Sequence, residues 1–493
     1  MAKSDALIIG AGLGGISAAI SLAAKGWNVT LAEKNHIIGG KLNIHQQDGF
    51  SFDLGPSLLT MPHVFRALFS KTGKKLEDFI ELTPIALQWR NFFEDKVTID
   101  IEDSVTKTAE HLKDLSPGTD IRFLEFCSYA DRQRKLAEEI YFNRGVDSVW
   151  DIIFGTSPLE IRKMDFFGTV SSSVRKMIQE PHTREIMSYF TKYVGSSPDK
   201  APGFLNLLPS VQFAYGVYHV RGGMYSLAKG LGRLLEELDV RVLTDHEAVN
   251  LVPGKKGSIR GVRFRNGKEI PCDLLVSDME AVPFYSRVAG LPDVSRSLEK
   301  WFPPSCSGLV IHLGVDRTYP DLGHHNIFHS ATPHEQYRSV FERMTLPDDP
   351  TLYVVRPTRT DPALAPEGCD IIKVLPQIPH LHTLRKFTPS DMAPLRDRVL
   401  AKLERMGFDG LKNHIISEKT LTPYDLRNMY YSDRGSIYGT VSDRLKNMAL
   451  KAPQKSRHFS NLYFVGGSVN PGGGMPMVIM SGMQVANRIG KPS

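Results

Sequence analysis

The chain predicts an α/β protein built on a Rossmann-like, doubly wound domain whose parts are dispersed along 493 residues. Two observations carry this. A strand, a glycine loop and a helix follow one another at residues 6–24, and a second set of the same three parts closes the sequence at 462–489. Between them, residues 240–276 hold short strands joined by glycine turns, which reads as a small meander inside the same domain.

In the first unit, Ala6 to Ile9 reads as a buried strand, Gly10-Ala11-Gly12-Leu13-Gly14-Gly15 as the loop, and Ile16 to Ala24 as the helix. Glu33 closes the next apolar run, Val29 to Ala32, and Lys34 follows it. This is the dinucleotide fingerprint in the context it requires. Gly10 permits the tight turn, Gly12 admits a pyrophosphate against the backbone, and Gly15 lets helix and strand pack closely. The helix N-terminus offers N–H groups and partial positive charge to phosphate, and Glu33 can accept from ribose hydroxyls. A signal peptide or membrane span is the competing reading of so apolar a stretch. Four glycines at 10, 12, 14 and 15 speak against it, each costing a helix about 1 kcal/mol relative to Ala, and only Lys3 could serve as a basic flank. No other segment approaches spanning length without charges, so the expected location is cytoplasmic, without signal peptide or transmembrane helix.

Gly39-Gly40-Lys41 and Phe52-Asp53-Leu54-Gly55-Pro56-Ser57 come next. Both can be plain turns. After the fingerprint, the better reading is backbone laid against a flat cofactor. Val220-Arg221-Gly222-Gly223 leads into a helix, Met224 to Leu238. Strands follow at Val240 to Leu243, Ala248 to Val252, Ile259 to Phe264 and Leu274 to Val276, with hairpin signals at 254–257 and Asn266-Gly267. At the C-terminus, Leu462 to Val465 is a strand, Gly466-Gly467-Ser468 and Pro471 to Pro476 form the loop, and Met477 to Ile489 is a helix with Pro476 suited to its first turn. Glycine loops at both chain ends imply one long cofactor clamped from two sides. FAD is such a molecule, whereas NAD needs no second loop.

The expected domains are therefore a discontinuous FAD-binding domain (1–75, 216–290 and 425–493), a helical insertion (76–215) and a mixed-sheet substrate domain (291–424). The insertion interleaves aromatics (Phe154, Phe166, Phe167, Tyr189, Phe190, Tyr193) with bases (Arg162, Lys163, Arg175, Lys176, Lys192). Such helices can be ordinary core or a surface lying in a membrane interface. In the substrate domain, Gly308 to Leu313 and Thr351 to Val355 read as strands, Ser390 to Met406 as a helix, and His324-His325 as loop.

A net charge of +6 is too small to indicate nucleic acid, and no nucleic-acid motif occurs. Cys127, Cys272, Cys306 and Cys369 are scattered, without metal-ligand spacing. The adjacent pair His324-His325 has no carboxylate cluster beside it and cannot chelate from one strand face, so no metal is expected.

Taken together, Gly10 to Gly15, Glu33, Gly39-Gly40-Lys41, Asp53 to Ser57, Arg221-Gly222-Gly223 and Pro471 to Pro476 resemble the bacterial carotenoid (phytoene-type) desaturase/oxygenase family, within the FAD-dependent amine-oxidase-like superfamily. The resemblance spans nearly the whole chain. Phe52 to Pro62, Tyr193 to Ser197, Leu346 to Thr351 and Gly466 to Val478 look closest to its 4,4'-diaponeurosporene and 4,4'-diapolycopene oxygenase branch. Related desaturases usually carry a small residue and Thr-His where this chain has Gly467 and Val469-Asn470. The resemblance implies a glutathione-reductase/amine-oxidase type of FAD domain. It assigns Gly10, Gly12 and Gly15 to the pyrophosphate and Glu33 to the adenosine ribose, with Gly14 and Lys34 also among the cofactor-binding residues. Gly40 and Lys41 fall near the phosphate and ribityl segment, Gly55, Pro56 and Ser57 at the isoalloxazine, and Val249 at the adenine. Gly466, Gly467, Gly474 and Met475 fall at the ribityl and ring ends. Many superfamily members carry an Asp near position 467 that this chain lacks.

The implied substrate is an apolar C30 carotenoid, and the implied partner a membrane surface met peripherally by the aromatic-basic insertion. The implied reaction is oxidation of a terminal methyl to an aldehyde. Desaturation by the same fold is the alternative, and a non-enzymatic prenyl-binding protein the remote one. The intact loop and Glu33 speak against the last. No acid or base stands out. Arg221, His324 and Asp361 are polar candidates, each with an equally good surface or loop reading.

Overall fold

The computed structural model describes residues 4–142, 145–382 and 387–492. A five-stranded sheet runs in the order Leu462–Phe464, Leu274–Ser277, Asp5–Ile9, Asn28–Ala32, Arg241–Leu243, with every neighbouring pair parallel. Asp5–Ile9 is central and its apolar side chains are buried, as a parallel sheet covered on both faces requires. The helix Leu13–Ala23 lies between this sheet and the C-terminal helix Met475–Ile489, and is buried from Leu13 to Leu22. The two helices approach closely at Gly482, where an added Cβ would stand 2.6 Å from the Ala18 nitrogen and 2.7 Å from the Gly14 carbonyl oxygen. The C-terminal helix begins two residues earlier than the sequence suggests, with Pro476 in its first turn.

The helix Tyr225–Glu237 is capped from a distant segment. The Asp53 carboxylate accepts from the Met224 and Tyr225 amides at 2.7 and 3.0 Å, which supplies negative charge to the positive end of the helix dipole. The meander expected over 240–276 is narrower: Ala248–Pro253, Ile259–Phe264 and Glu269–Pro271 form it, antiparallel, the last strand not having been expected, while Arg241–Leu243 and Leu274–Ser277 join the parallel sheet.

The second large sheet is mixed. Its order is Ile415–Leu421, Val310–Val315, Asp370–Ile378, Leu352–Val355, His325–Phe328, Leu87–Phe92, Thr98–Glu102, with Ser307–Gly308 paired beside Asp370–Ile378. Two of these strands lie inside the stretch expected to be a helical insertion. Leu87–Phe92 pairs parallel with His325–Phe328 and antiparallel with Thr98–Glu102. The turn between the two carries Lys96 at φ +68°, where glycine or asparagine would have signalled a hairpin. The helices of 105–215 then pack on this sheet, with Trp89, Ile327 and Tyr353 in their shared core.

The aromatic-basic pattern of the insertion divides in two. Phe166, Tyr189, Phe190 and Lys192 are buried. Trp150, Phe154, Leu159 and Phe167 are largely exposed, Phe154 and Phe167 at 82% and 83%, while Arg162, Lys163, Arg175 and Lys176 face solvent around them. His325 opens a buried strand and is not in a loop. No helix among the described residues is long and apolar enough to cross a membrane.

Candidate functional site: a glycine-lined cavity between the two sheets

A cavity of about 370 Å³ opens at the C-terminal ends of the parallel strands, where open α/β sheets place their ligands. Both glycine loops line it, through Gly10 and Gly12 from one end of the chain and Gly466, Gly467, Gly474 and Met475 from the other. Glu33, Lys34, Gly40, Lys41, Gly55, Pro56 and Ser57 also line it. Of the residues expected at a cofactor, three stand elsewhere. Gly14 and Gly15 sit behind the loop, where a Cβ on Gly14 would stand 2.8 Å from the Gly466 nitrogen and one on Gly15 would strike the Gly10 carbonyl oxygen. They are packing glycines. Val249 is skipped by the ladder, which pairs Ala248 with Phe264 and then Asn250 with Arg263. This bulge turns Glu247 and Ala248 to the cavity and leaves Val249 off its wall.

The cavity is shaped for a cofactor that lies on backbone. A Cβ on Gly40 would stand 2.9 Å from the Gly12 Cα, whereas one on Gly474, at φ +105°, would meet no atom within 4 Å and would project into open space. Glu33 is buried, and its two carboxylate oxygens accept from the Ala11 and Asn35 amides at 2.8 and 2.9 Å. Each oxygen keeps a lone pair for a hydroxyl. Lys41 is held at the cavity by the Ile437 and Ser436 carbonyls and by Glu280, at 2.9, 3.3 and 3.3 Å, and Lys34 lies 4.8 Å over the Tyr431 ring.

One acid at the loop escaped the sequence reading. Asp278 follows the strand Leu274–Ser277 and lines the cavity. Burial pushes its carboxyl up to about 8, against the Gly15 and Gly12 amides that donate to it and the attraction of Lys41. Its position at the C-terminal end of a parallel strand was the available signal.

Beyond the loops the wall becomes mostly apolar and aromatic, with Leu375, Tyr193, Tyr353 and Tyr438. A second chamber of about 140 Å³ adjoins it. The two share Thr60, Tyr193, Tyr438, Gly473, Gly474 and Pro476 in their walls. The far chamber is lined by Tyr141, Phe142, Phe204, Leu205, Leu208 and Val211 among others. Two buried lysines interrupt the apolar wall of the first. Lys373 donates to the Asp53 carbonyl at 2.9 Å and to the Gly55 carbonyl, and burial lowers it to about 8. Lys192 sits among aromatic rings. Neither was expected at the site, because each comes from a segment remote in sequence from every glycine motif.

The three polar candidates stand outside the cavity. Arg221 is exposed and 3.4 Å from Glu81. Asp361 accepts from the Gly222 amide at 2.7 Å. His324 is buried, bonded through Nδ1 to the Thr360 hydroxyl at 2.7 Å, with its ring 5.2 Å from that of His219 and 4.4 Å from that of His325. Burial holds His324 and His325 well below the ordinary histidine range. Among the described residues no group of three or more His, Cys, Asp or Glu side chains could hold a metal, and burial pushes the Cys127, Cys272 and Cys306 thiols up to about 12, away from the thiolate form.

This fold and glycine cradle are those of an FAD-dependent oxidoreductase. The chain belongs to the flavin containing amine oxidoreductase family, whose profile matches residues 13–490. It is 50% identical over 485 residues to a 4,4'-diapolycopene oxygenase of Methylomonas sp, covering 98% of this chain and 97% of the relative. It is 43% identical over 486 residues, with the same coverage, to a 4,4'-diaponeurosporene oxygenase of Staphylococcus aureus (strain USA300). In fold it is similar to an oxidoreductase from Methanosarcina mazei (TM-score 0.66, 15% identity, 98% of this chain and 100% of the other). It is similar also to cyclohexylamine oxidase from Brevibacterium oxydans IH-35A (TM-score 0.62, 14% identity, 99% of each chain).

Proposed function

We propose that the protein oxidises the terminal methyl group of a C30 polyene, diapolycopene or diaponeurosporene, to an aldehyde. The observation that carries this is the pair of adjoining apolar chambers whose walls meet at Gly473 and Gly474 of the cofactor loop. The full-length similarity to enzymes named for these substrates supports it. Bound FAD would supply a two-electron, hydride-accepting oxidant, needed twice between methyl and aldehyde, with the oxygen atom drawn from dioxygen or water. The protein's part is to hold it, aim the polyene and exclude water. Gly10 and Gly12 would receive the pyrophosphate, Glu33 the ribose, and Gly55, Pro56, Ser57, Gly467 and Gly474 the remainder, with Lys41 near the phosphates. Tyr193 and Tyr438, in the walls of both chambers, border the passage and set which carbon of the chain reaches the loop.

We also propose that the exposed Trp150, Phe154, Leu159 and Phe167, with Arg162 and Lys163, rest on a lipid surface, from which an apolar polyene can enter without crossing water. Leu445, 83% exposed, extends the patch, since the neighbouring Arg444 donates to the Phe167 carbonyl. Expression in cells that make diaponeurosporene tests the function. Aldehyde-ended product is expected, while product altered only by added double bonds would contradict it and favour the desaturase alternative.

A further inference from the structure

Lys192 is the least expected residue in the cavity wall. Its side chain is almost wholly buried, and Nζ lies 3.3 Å from the ring centre of Tyr353, 4.7 Å from Trp89, 5.0 Å from Tyr193 and 5.9 Å from Tyr189. Among the described residues no carboxylate and no hydrogen-bond acceptor engages it. The other buried lysines are anchored. Lys402 meets Asp349 at 2.6 Å, Lys451 donates to Thr440, Val441 and Ser442, and Lys373 donates to two backbone carbonyls. Lys192, which lines the cavity, alone among these four sets its amine on aromatic rings.

An ammonium taken from water without an anion is strongly disfavoured, and an aromatic face offsets only part of that cost. The balance favours the neutral amine at rest, and burial indeed lowers Lys192 well below the ordinary lysine range. The same rings stabilise positive charge once a proton arrives. This arrangement suits a base that is neutral before a reaction step and cationic after it.

Resting on the function proposed above, we infer that Lys192 is the proton acceptor for the second oxidation, in which an allylic alcohol at the polyene end becomes the aldehyde. The O–H proton would pass to Nζ and the C–O bond become C=O as the electron pair of the carbinol C–H bond left as hydride, for which bound FAD would be the acceptor. The first attack on the methyl has no acidic O–H and makes no use of the amine.

The titratable groups that face Lys192 are the hydroxyls of Tyr189, Tyr193 and Tyr353 and, bonded to the Tyr353 hydroxyl at 2.9 Å, His325. Burial moves the three tyrosines up and His325 down, so none of them titrates near neutrality. Two experiments test the inference. With the C30 polyene as substrate, Lys192→Met, an apolar replacement of similar length, should shift the oxygenated product towards alcohol, its aldehyde-to-alcohol ratio falling by roughly a hundredfold. Wild type should show a rise in alcohol oxidation with pH that the variant lacks. The second needs no turnover. Flavin-free wild type is mixed with a polyene aldehyde at neutral pH and reduced with cyanoborohydride. A neutral amine forms the imine, so peptide mapping should find the adduct at Lys192. Unchanged aldehyde-to-alcohol ratios, or a map with surface lysines modified and Lys192 bare, would overturn the inference alone. A wild type that only adds double bonds would overturn the function and this step with it.

Discussion

Asp278 shows how much one side chain at the glycine loop decides. Its carboxyl is buried at the start of a helix, shares its surroundings with Glu33, and stays protonated up to about pH 8. In the unfolded chain it ionises near 3.8. A group whose pKa is raised on folding stabilises the fold most below its unfolded value, and that contribution is lost as pH rises towards the folded value. Asp278→Asn, neutral at every pH, should therefore match wild type at acid pH and exceed it increasingly between 3.8 and about 8, with a constant gap above that. Thermal unfolding of the flavin-free proteins across this range measures it. A gap that shrinks with rising pH would refute the assignment. Glu33 was legible in the sequence because the fingerprint fixes its place. Asp278, Lys192, Tyr353 and Lys373 were not, because their meeting is made by strands and turns whose residues carry no mutual spacing.

Among the elements, those with strong local patterns emerged from sequence with boundaries within three residues, as the helices Leu13–Ala23 and Met475–Ile489 show. Tertiary context overrode pattern in the insertion. A run of aromatics at helical spacing is the same whether it faces lipid or core, and Tyr189, Phe190 and Phe166 chose the core while Trp150, Phe154 and Phe167 did not. The hairpin of Leu87–Phe92 and Thr98–Glu102 was missed because its turn lacks glycine. Two element-level outcomes follow. Gly482→Ala places a methyl against Ala18 and Gly14, and should cost about 1–3 kcal/mol by overpacking, read as a lower melting temperature and looser flavin. Replacing Trp150, Phe154 and Phe167 together by serine should abolish flotation with lipid vesicles and leave flavin content unchanged, since none of the three lines the cavity. Flotation equal to wild type would remove the lipid-facing role.

At the scale of the molecule, strands from the two ends of the chain lie one strand apart in the same sheet, and the glycine-lined cavity forms where they come together. The strands Asp5–Ile9 and Leu462–Phe464 flank Leu274–Ser277, so three distant segments deliver Gly12, Asp278 and Gly466 to one cavity wall. The mixed sheet adds Tyr353 and Lys373 from the opposite side. The most direct test of this account uses purified protein with diapolycopene, comparing flavin-loaded, flavin-stripped and Gly12→Val samples, the last blocked at the loop by Asp278. Aldehyde formed in proportion to bound flavin, and absent from the stripped and Gly12→Val samples, is the predicted result. Aldehyde made equally without flavin, or a loaded enzyme that yields no oxygenated end group, would contradict it.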